Sequence, residues 1–455
     1  MELFKINLMI NKTIEHKEYT PITSEIVNKN LTENEVGDIG LASIRVIKKL
    51  VDGIEKDSGV KFVRMEMGIP GLPPTQIGVD AEIEALRKGV AAVYPDIHGI
   101  PPLKKEISRF VKLFLNVDVS SEGCIPTVGT MQAGFAAFMT IHRINPEKDT
   151  TLFLDPGFPV HKMQHKVLDL KYEAFDVYNY RGEKLREKLE SYLIKGNISS
   201  LLYSNPNNPS WICFTETELQ IIGELANKYN VIVIEDLAYF GMDFRNDIST
   251  PGQAPYQPSV TKYTKNYILF ISSSKAFSYA GQRIGMMVIS DHVFKIKSDH
   301  LLKNYMNNTF GMAMIFGSMY TLSAGTAHSA QYALAAILKA ANDGHFNFVD
   351  NVKEYGAKAV IMKKLFTDNG FKIVYDTDED QPIADGFYFT VAYPGMDGGE
   401  LLKALLAYGV SAISLKITGS ERTEGIRACT SLPQRSQFPE LELRLQRFHK
   451  DHPIN

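Results

Sequence analysis

Lys275 lies in the run Ser272-Ser273-Ser274-Lys275-Ala276-Phe277, and Arg283 follows it eight positions later. An unprotonated lysine amine forms an imine with a carbonyl carbon, and a guanidinium with neighbouring hydroxyls grips a phosphate. An aldehyde that also carries a phosphate would use both features. A lone lysine on the loop after a buried strand is ordinarily solvated, and Arg283 with the serines argues against that role here. His161 and His165 stand at i and i+4, a metal-ligand spacing. No carboxylate or third ligand completes that set, so they are expected to be ordinary surface or cleft histidines, and no metal is expected. The run Arg181 to Glu190, RGEKLREKLE, reads as a solvated helix face with i,i+4 pairs.

The elements that must hold these residues follow from the hydrophobic pattern. TLFLD, SLLYS, VIVIED and YILFISSS are Val- and Ile-rich runs of strand length, separated by helical segments such as ETELQIIGELANKY. This alternation predicts an α/β region with a mostly parallel sheet. Polar residues cluster where these strands end: Asn205 to Asn208, Asp236, and Ser272 to Lys275. Open α/β sheets bind ligands just outside the carboxyl ends of their strands, so three separate segments point to one crevice. Before this region come a polar arm and an amphipathic helix, LASIRVIKKLVDGIEK, with Gly59 as its stop, and then a short strand KFVRMEM leading into Gly68. After about residue 342 the segments EYGAKAVIMKKLFTDNG, FKIVYD, GFYFTVAYP, GELLKALLAYG, EGIRACTSL and ELELRLQRFHK suggest a smaller α+β unit. The expected organisation is an arm and entry helix over 1–60 packing with the small domain, a large domain over 61–341, and the small domain over 342–455.

The chain has 455 residues, 44% hydrophobic and 22% charged, with a formal net charge of −3. This suits a large buried core and gives no basic excess to attract nucleic acid or an anionic membrane. Three widely spaced cysteines form no CxxC pair, which fits a reducing cytoplasm. The first residues show no basic segment followed by an apolar stretch, so neither export nor an anchor is expected.

In order along the chain, MGIPGLPPT, YPDIHGIPPLKKEI, VGTMQA, DPGFP, SNPNNPS, EDLAY, SSSKAFSYAGQRIG and GIRACTSL resemble the class I/II aminotransferases of the fold-type I pyridoxal-phosphate enzymes. The resemblance runs from about Gly68 to Arg427. It implies pyridoxal 5′-phosphate as cofactor, with Lys275 holding it as an internal aldimine and later moving a proton between the substrate Cα and the cofactor C4′. Arg283, with Ser272 and Ser274, would hold the phosphate, the choice between the serines being open. The backbone of Gly129, Thr130 and Met131 at a helix start would add N–H donors. Asp236 would pair with the pyridine nitrogen and keep the ring an electron sink. Tyr239 and Asn208 would donate to the phenolate oxygen, with Asn205 a competing choice because Ser210-Trp211 stands where Thr-Gly is usual. Phe158 would stack on the ring. Arg427, with Gly68 opposite, would bind the substrate α-carboxylate, although SLKITGSERTEG lacks the Pro-Gly common before that strand.

Tyr94 would reach the phosphate of a neighbouring subunit, which implies a homodimer with active sites at the interface. The activity implied is exchange of an amino group between an L-amino acid and a 2-oxo acid by a ping-pong mechanism. A carbon–sulfur β-lyase or an amino-acid decarboxylase on the same scaffold is the alternative, while a purely regulatory relative is disfavoured by the complete residue set. The Met-rich stretch YMNNTFGMAMIFGSMY reads as a packed helix rather than a pocket wall.

Overall fold

The computed structural model of the chain describes residues 20–454. The first nineteen residues of the expected arm therefore lie outside the described residues. A seven-stranded sheet forms the centre: β1 (Cys124–Thr127), β2 (Thr150–Asp155), β3 (Lys171–Asp176), β4 (Ile198–Ser204), β5 (Ile232–Leu237), β6 (Tyr267–Ser272) and β7 (Gly285–Ile289). Their order across the sheet is β1-β7-β6-β5-β4-β2-β3, and only β7 runs antiparallel to its neighbours. The sheet thus matches the mostly parallel architecture expected from the apolar runs.

Those runs lack polar alternation because both faces of the sheet are covered. Leu152, Leu201, Val233, Leu269 and Met286 point into one core, which also takes in Phe110, Phe114 and Phe277. Their neighbours Phe153, Leu202, Ile234, Ile268 and Met287 point into the other, against Ala133, Ala137 and Phe138. The strand period of two sorts each run between the cores. Met314 and Met319 of the Met-rich stretch are buried in the second core, where the chain forms a wide helical turn over Ala313–Met319.

A second sheet is antiparallel throughout: β8 (Lys372–Ile373), β9 (Tyr388–Ala392), β10 (Ile413–Ser414) and β11 (Gly425–Cys429), in the order β10-β11-β9-β8. Its core joins Val391, Leu401, Leu405, Ile426 and Phe448 with Ile47, Leu50, Val51 and Ile54 of the helix Ile44–Ser58. That helix is capped by Ser43 and stops at Gly59, which takes the left-handed conformation at φ 72°. The expected strands KFVRMEM and FKIVYD pair only at Val63–Arg64 and Lys372–Ile373. In the first, Glu66 turns to Arg64 and Ser411, and the chain then bends toward Gly68.

Arg181 corrects the solvated-face reading of its segment. Its side chain is only 8% exposed and donates to both carboxylate oxygens of Glu218 and to Asp378, while Leu185 and Leu189 pack into the core. Only the outward residues from Glu183 on form a charged face. Among the described residues, no helix is long and apolar enough to cross a membrane.

Candidate active site

The strand ends of the large sheet and the edge of the small one enclose a cavity of about 330 Å³. Lys275, Ser272, Ser274, Arg283, Asp236, Tyr239, Asn208, Phe158, Thr130, Met131, Gly68 and Arg427 all line it. Gly129 adjoins it through Arg283, because a Cβ at Gly129 would lie 2.6 Å from Arg283 Nη2. Tyr94 is not brought in: its side chain is 90% exposed on the outer surface.

Each group is set by its local structure. β6 ends at Ser272, whose hydroxyl accepts from the Ser274 N–H at 3.1 Å and starts the single turn that carries Lys275. Burial pushes the Lys275 amine down to about 8, and the positive charges of Arg283 and Arg427 push the same way, against the opposing influence of Cys429 and Asp236. An amine titrating there is partly neutral, and hence nucleophilic, near neutral pH.

Gly129 opens the helix Gly129–Ile141 at φ 63°. The unpaired N–H groups of this first turn and the missing side chains of Gly129 and Gly285 leave a cradle beside Arg283. Arg283 donates to the Ala280 carbonyl at 2.8 Å and is exposed at the mouth. An N-terminal helix turn, hydroxyls and an arginine form a site that fits a phosphate.

Asp236 ends β5. Its Oδ1 accepts from the Ala238 N–H at 3.1 Å, and its Oδ2 lies 3.3 Å from His161 Nε2, so the imidazole donates to it. Of the two histidines expected on the surface or in a cleft, both are buried, at 3% and 0% exposure, and His161 is the one in the cleft. His165 packs edge-on to Phe153 and Tyr172 and tilted against Phe138, whereas His161 lines the cavity beside Asp236. His161 stands three residues after Phe158, one helical turn behind it, and that spacing was the signal available in the sequence. A carboxylate oriented in this way, with Phe158 alongside, fits a protonated aromatic nitrogen.

The Asn205–Asn208 alternative separates by geometry. Asn205 is committed to backbone groups outside the cavity: it accepts from the Phe214 N–H at 3.2 Å and donates to the Pro258 carbonyl at 3.3 Å. Asn208 faces the cavity, and its Oδ1 accepts from Arg427 Nη1 at 3.3 Å, which leaves its NH2 as a donor. Trp211, next to the unusual Ser210, takes a left-handed conformation at φ 65°, a cost of about 1–2 kcal/mol for a residue with a side chain. It is 1% exposed and packs 5.3 Å from the Tyr239 ring and 6.1 Å from that of Tyr388.

Arg427, on β11, is 1% exposed. It donates from Nη2 to the Glu66 carbonyl at 2.5 Å and stacks 4.4 Å over the Tyr388 ring, and its Nε is buried with no partner among the described residues. All its partners are neutral. The segment before β11 docks on the large sheet without a Pro-Gly: Gly157 N–H donates to the Thr418 carbonyl at 2.8 Å, and Gly419 at φ 81° presses against Asp155.

A family profile described as aminotransferase class I and II matches residues 63–432. The chain is 26% identical over 249 residues to an aspartate aminotransferase of Sulfolobus acidocaldarius, covering 54% of this chain and 60% of that protein. It is 24% identical over 351 residues to a probable aspartate aminotransferase of Methanocaldococcus jannaschii, covering 76% of this chain and 82% of the relative. Among solved structures, an alanine aminotransferase from Pyrococcus furiosus superposes with a TM-score of 0.72 at 20% identity, over 92% of this chain and 99% of the other.

Proposed function

The chain belongs to the class I and II aminotransferase family, and from that premise we propose that it binds pyridoxal 5′-phosphate at Lys275 and transfers the amino group of an L-amino acid to a 2-oxo acid. The observation that carries this reading is the charge of the cavity. Lys275, Arg283 and Arg427 line it with Asp236 as the one carboxylate, and Asp236 already receives His161. An excess of cations, one of them buried with an unpartnered Nε, calls for anionic ligands at two separate points. A phosphate at the Gly129–Arg283 cradle and an α-carboxylate at Arg427 satisfy both.

When bound, the cofactor supplies an aldehyde for covalent attachment and a ring that withdraws electrons from the substrate Cα. The residues of the chain do the rest. Lys275 Nζ is the covalent anchor and, once released, the base positioned to take and return the Cα proton. Asp236, held by His161, keeps a proton on the ring nitrogen. Arg427 fixes the carboxylate, and with it the orientation of Cα, with Gly68 leaving room on the other side. Tyr239 and the Asn208 NH2 serve as donors to the ring oxygen. Phe158 limits tilt of the ring.

The relatives named above are aminotransferases, so transfer is preferred here to the lyase reading. A homodimer follows the same family logic: Tyr94, with Val93 and Leu86 also exposed, would complete the phosphate site of a second copy. Size-exclusion chromatography with light scattering tests the dimer. Borohydride reduction of the purified protein followed by peptide mass mapping tests the anchor. A reduced cofactor adduct on the peptide containing Lys275 is expected, and an adduct on another lysine, or none, would refute the reading.

A further inference from the structure

Tyr388 has no part in the scheme above, yet the fold makes room for it from three sides. It starts β9 with its side chain 2% exposed, and its hydroxyl accepts a hydrogen bond from Tyr239 at 2.8 Å. A Cβ on Gly68 would sit 1.9 Å from that hydroxyl, so a glycine there is required by Tyr388 itself. Trp211 packs edge-on to both tyrosine rings from its left-handed position, and a Cβ on Gly386 would meet the indole at 2.1 Å. The Arg427 guanidinium covers the remaining face of Tyr388. Two glycines and a strained tryptophan thus hold two phenol groups in hydrogen-bond register.

We propose that Tyr388 is a positioning residue for Tyr239, acting as the second hydroxyl of a two-member relay. This rests on the reading of the cavity as a pyridoxal-phosphate site. Without ligand, Tyr239 donates to Tyr388, and no acceptor for the Tyr388 hydrogen lies among the described residues. When an anionic oxygen of the cofactor arrives beside Tyr239 and the Asn208 NH2, Tyr239 turns its hydrogen to that oxygen. Its own oxygen is then open, and Tyr388 rotates its hydroxyl from acceptor to donor. A phenol that accepts a hydrogen bond is a stronger donor, because chained hydrogen bonds polarise one another. Tyr388 therefore strengthens the grip of Tyr239 and fixes its direction without touching the cofactor. Besides Tyr388, the ionisable groups facing Tyr239 are Arg427 and Cys429, and neither hydrogen-bonds its hydroxyl.

The test is Tyr388→Phe, Tyr239→Phe and the double variant, each loaded with cofactor. Trp211 is the only tryptophan in the chain, so its fluorescence, quenched by the cofactor, reports binding and an intact fold. Loss of one neutral hydrogen bond predicts about three- to tenfold weaker cofactor retention in Tyr388→Phe, with the pH midpoint of the bound cofactor's visible band raised by roughly half a unit. The donor amino acid's KM should change less than kcat. In the double variant the Tyr388 effect should vanish, because its hydroxyl acts only through Tyr239. An unchanged midpoint, or effects of the two substitutions that multiply, would overturn the relay. Should Tyr388→Phe fail to fold, Gly68→Ala displaces the same hydroxyl and must move the midpoint in the same direction. A wild-type protein with no adduct at Lys275 would instead defeat the underlying site reading.

Discussion

Replacing Lys275 with methionine should stabilise the cofactor-free protein, and the size of the gain should depend on pH. The free amine titrates near 8 in the folded chain against 10.5 for the ordinary side chain, chiefly because the fold removes it from water. The lowered value sets the sign: between those two values the unfolded chain binds more protons than the native one, so wild-type stability rises with pH across the window. Below pH 8 both states carry the proton and the native state bears the whole cost, about 3 kcal/mol for the difference between the two values. Lys275→Met leaves an unbranched apolar side chain one atom shorter and removes that cost. Thermal unfolding of the two stripped proteins at pH 7, 8, 9 and 10 should show the variant more stable by up to about 3 kcal/mol at pH 7, with the gap closing as the pH approaches 10.5. A variant less stable than wild type at pH 7, or a gap that ignores pH, would refute the claim that a desolvated, ligand-seeking amine occupies this cavity.

Other substitutions separate the remaining roles. Arg427→Leu should lower kcat/KM by about 10²–10³-fold, the loss of one buried charge partner, while cofactor binding measured by Trp211 quenching changes little. Gly129→Ala should weaken cofactor retention about tenfold in equilibrium dialysis, because its φ of 63° disfavours a side chain and its methyl would crowd Arg283. Arg181→Ala should cost about 3 kcal/mol in stability, read by chemical unfolding, because it leaves Glu218 buried without its cation and Asp378 with Arg245 alone.

The large sheet was legible because both its faces are buried: four of its strands are apolar runs, and polar residues at their ends mark the crevice. Several cavity residues were legible because they sit at a strand end or helix start whose turn chemistry is local, as at Ser272, Gly129 and Asp236. What the sequence concealed depends on contacts across long separations. His161 reaches Asp236 from a helix 75 residues away, and Tyr388 meets Tyr239 across 149. The spacing of His161 from Phe158 hints at the histidine's place beside the cavity, but nothing local names Asp236 as its partner or pairs the two tyrosines. Arg181 misled for the same reason, since its charge partners are Glu218, 37 residues on, and Asp378, 197 residues on. A charged run thus reads as solvated until its partners fold against it. Trp211 was visible as a departure from the family pattern, but its packing between the two tyrosines required the small sheet to be in place.

The central claim is that this chain moves an amino group and that Lys275 does the work. Incubating the loaded protein with a ¹⁵N-labelled amino acid and an unlabelled 2-oxo acid, and following both products by mass spectrometry, tests it directly. The account predicts ¹⁵N in the new amino acid, one equivalent of the matching 2-oxo acid from the donor, and neither in Lys275→Ala. Release of ammonia, sulfide or CO₂ in place of labelled amino acid, for every donor and acceptor tried, would contradict it.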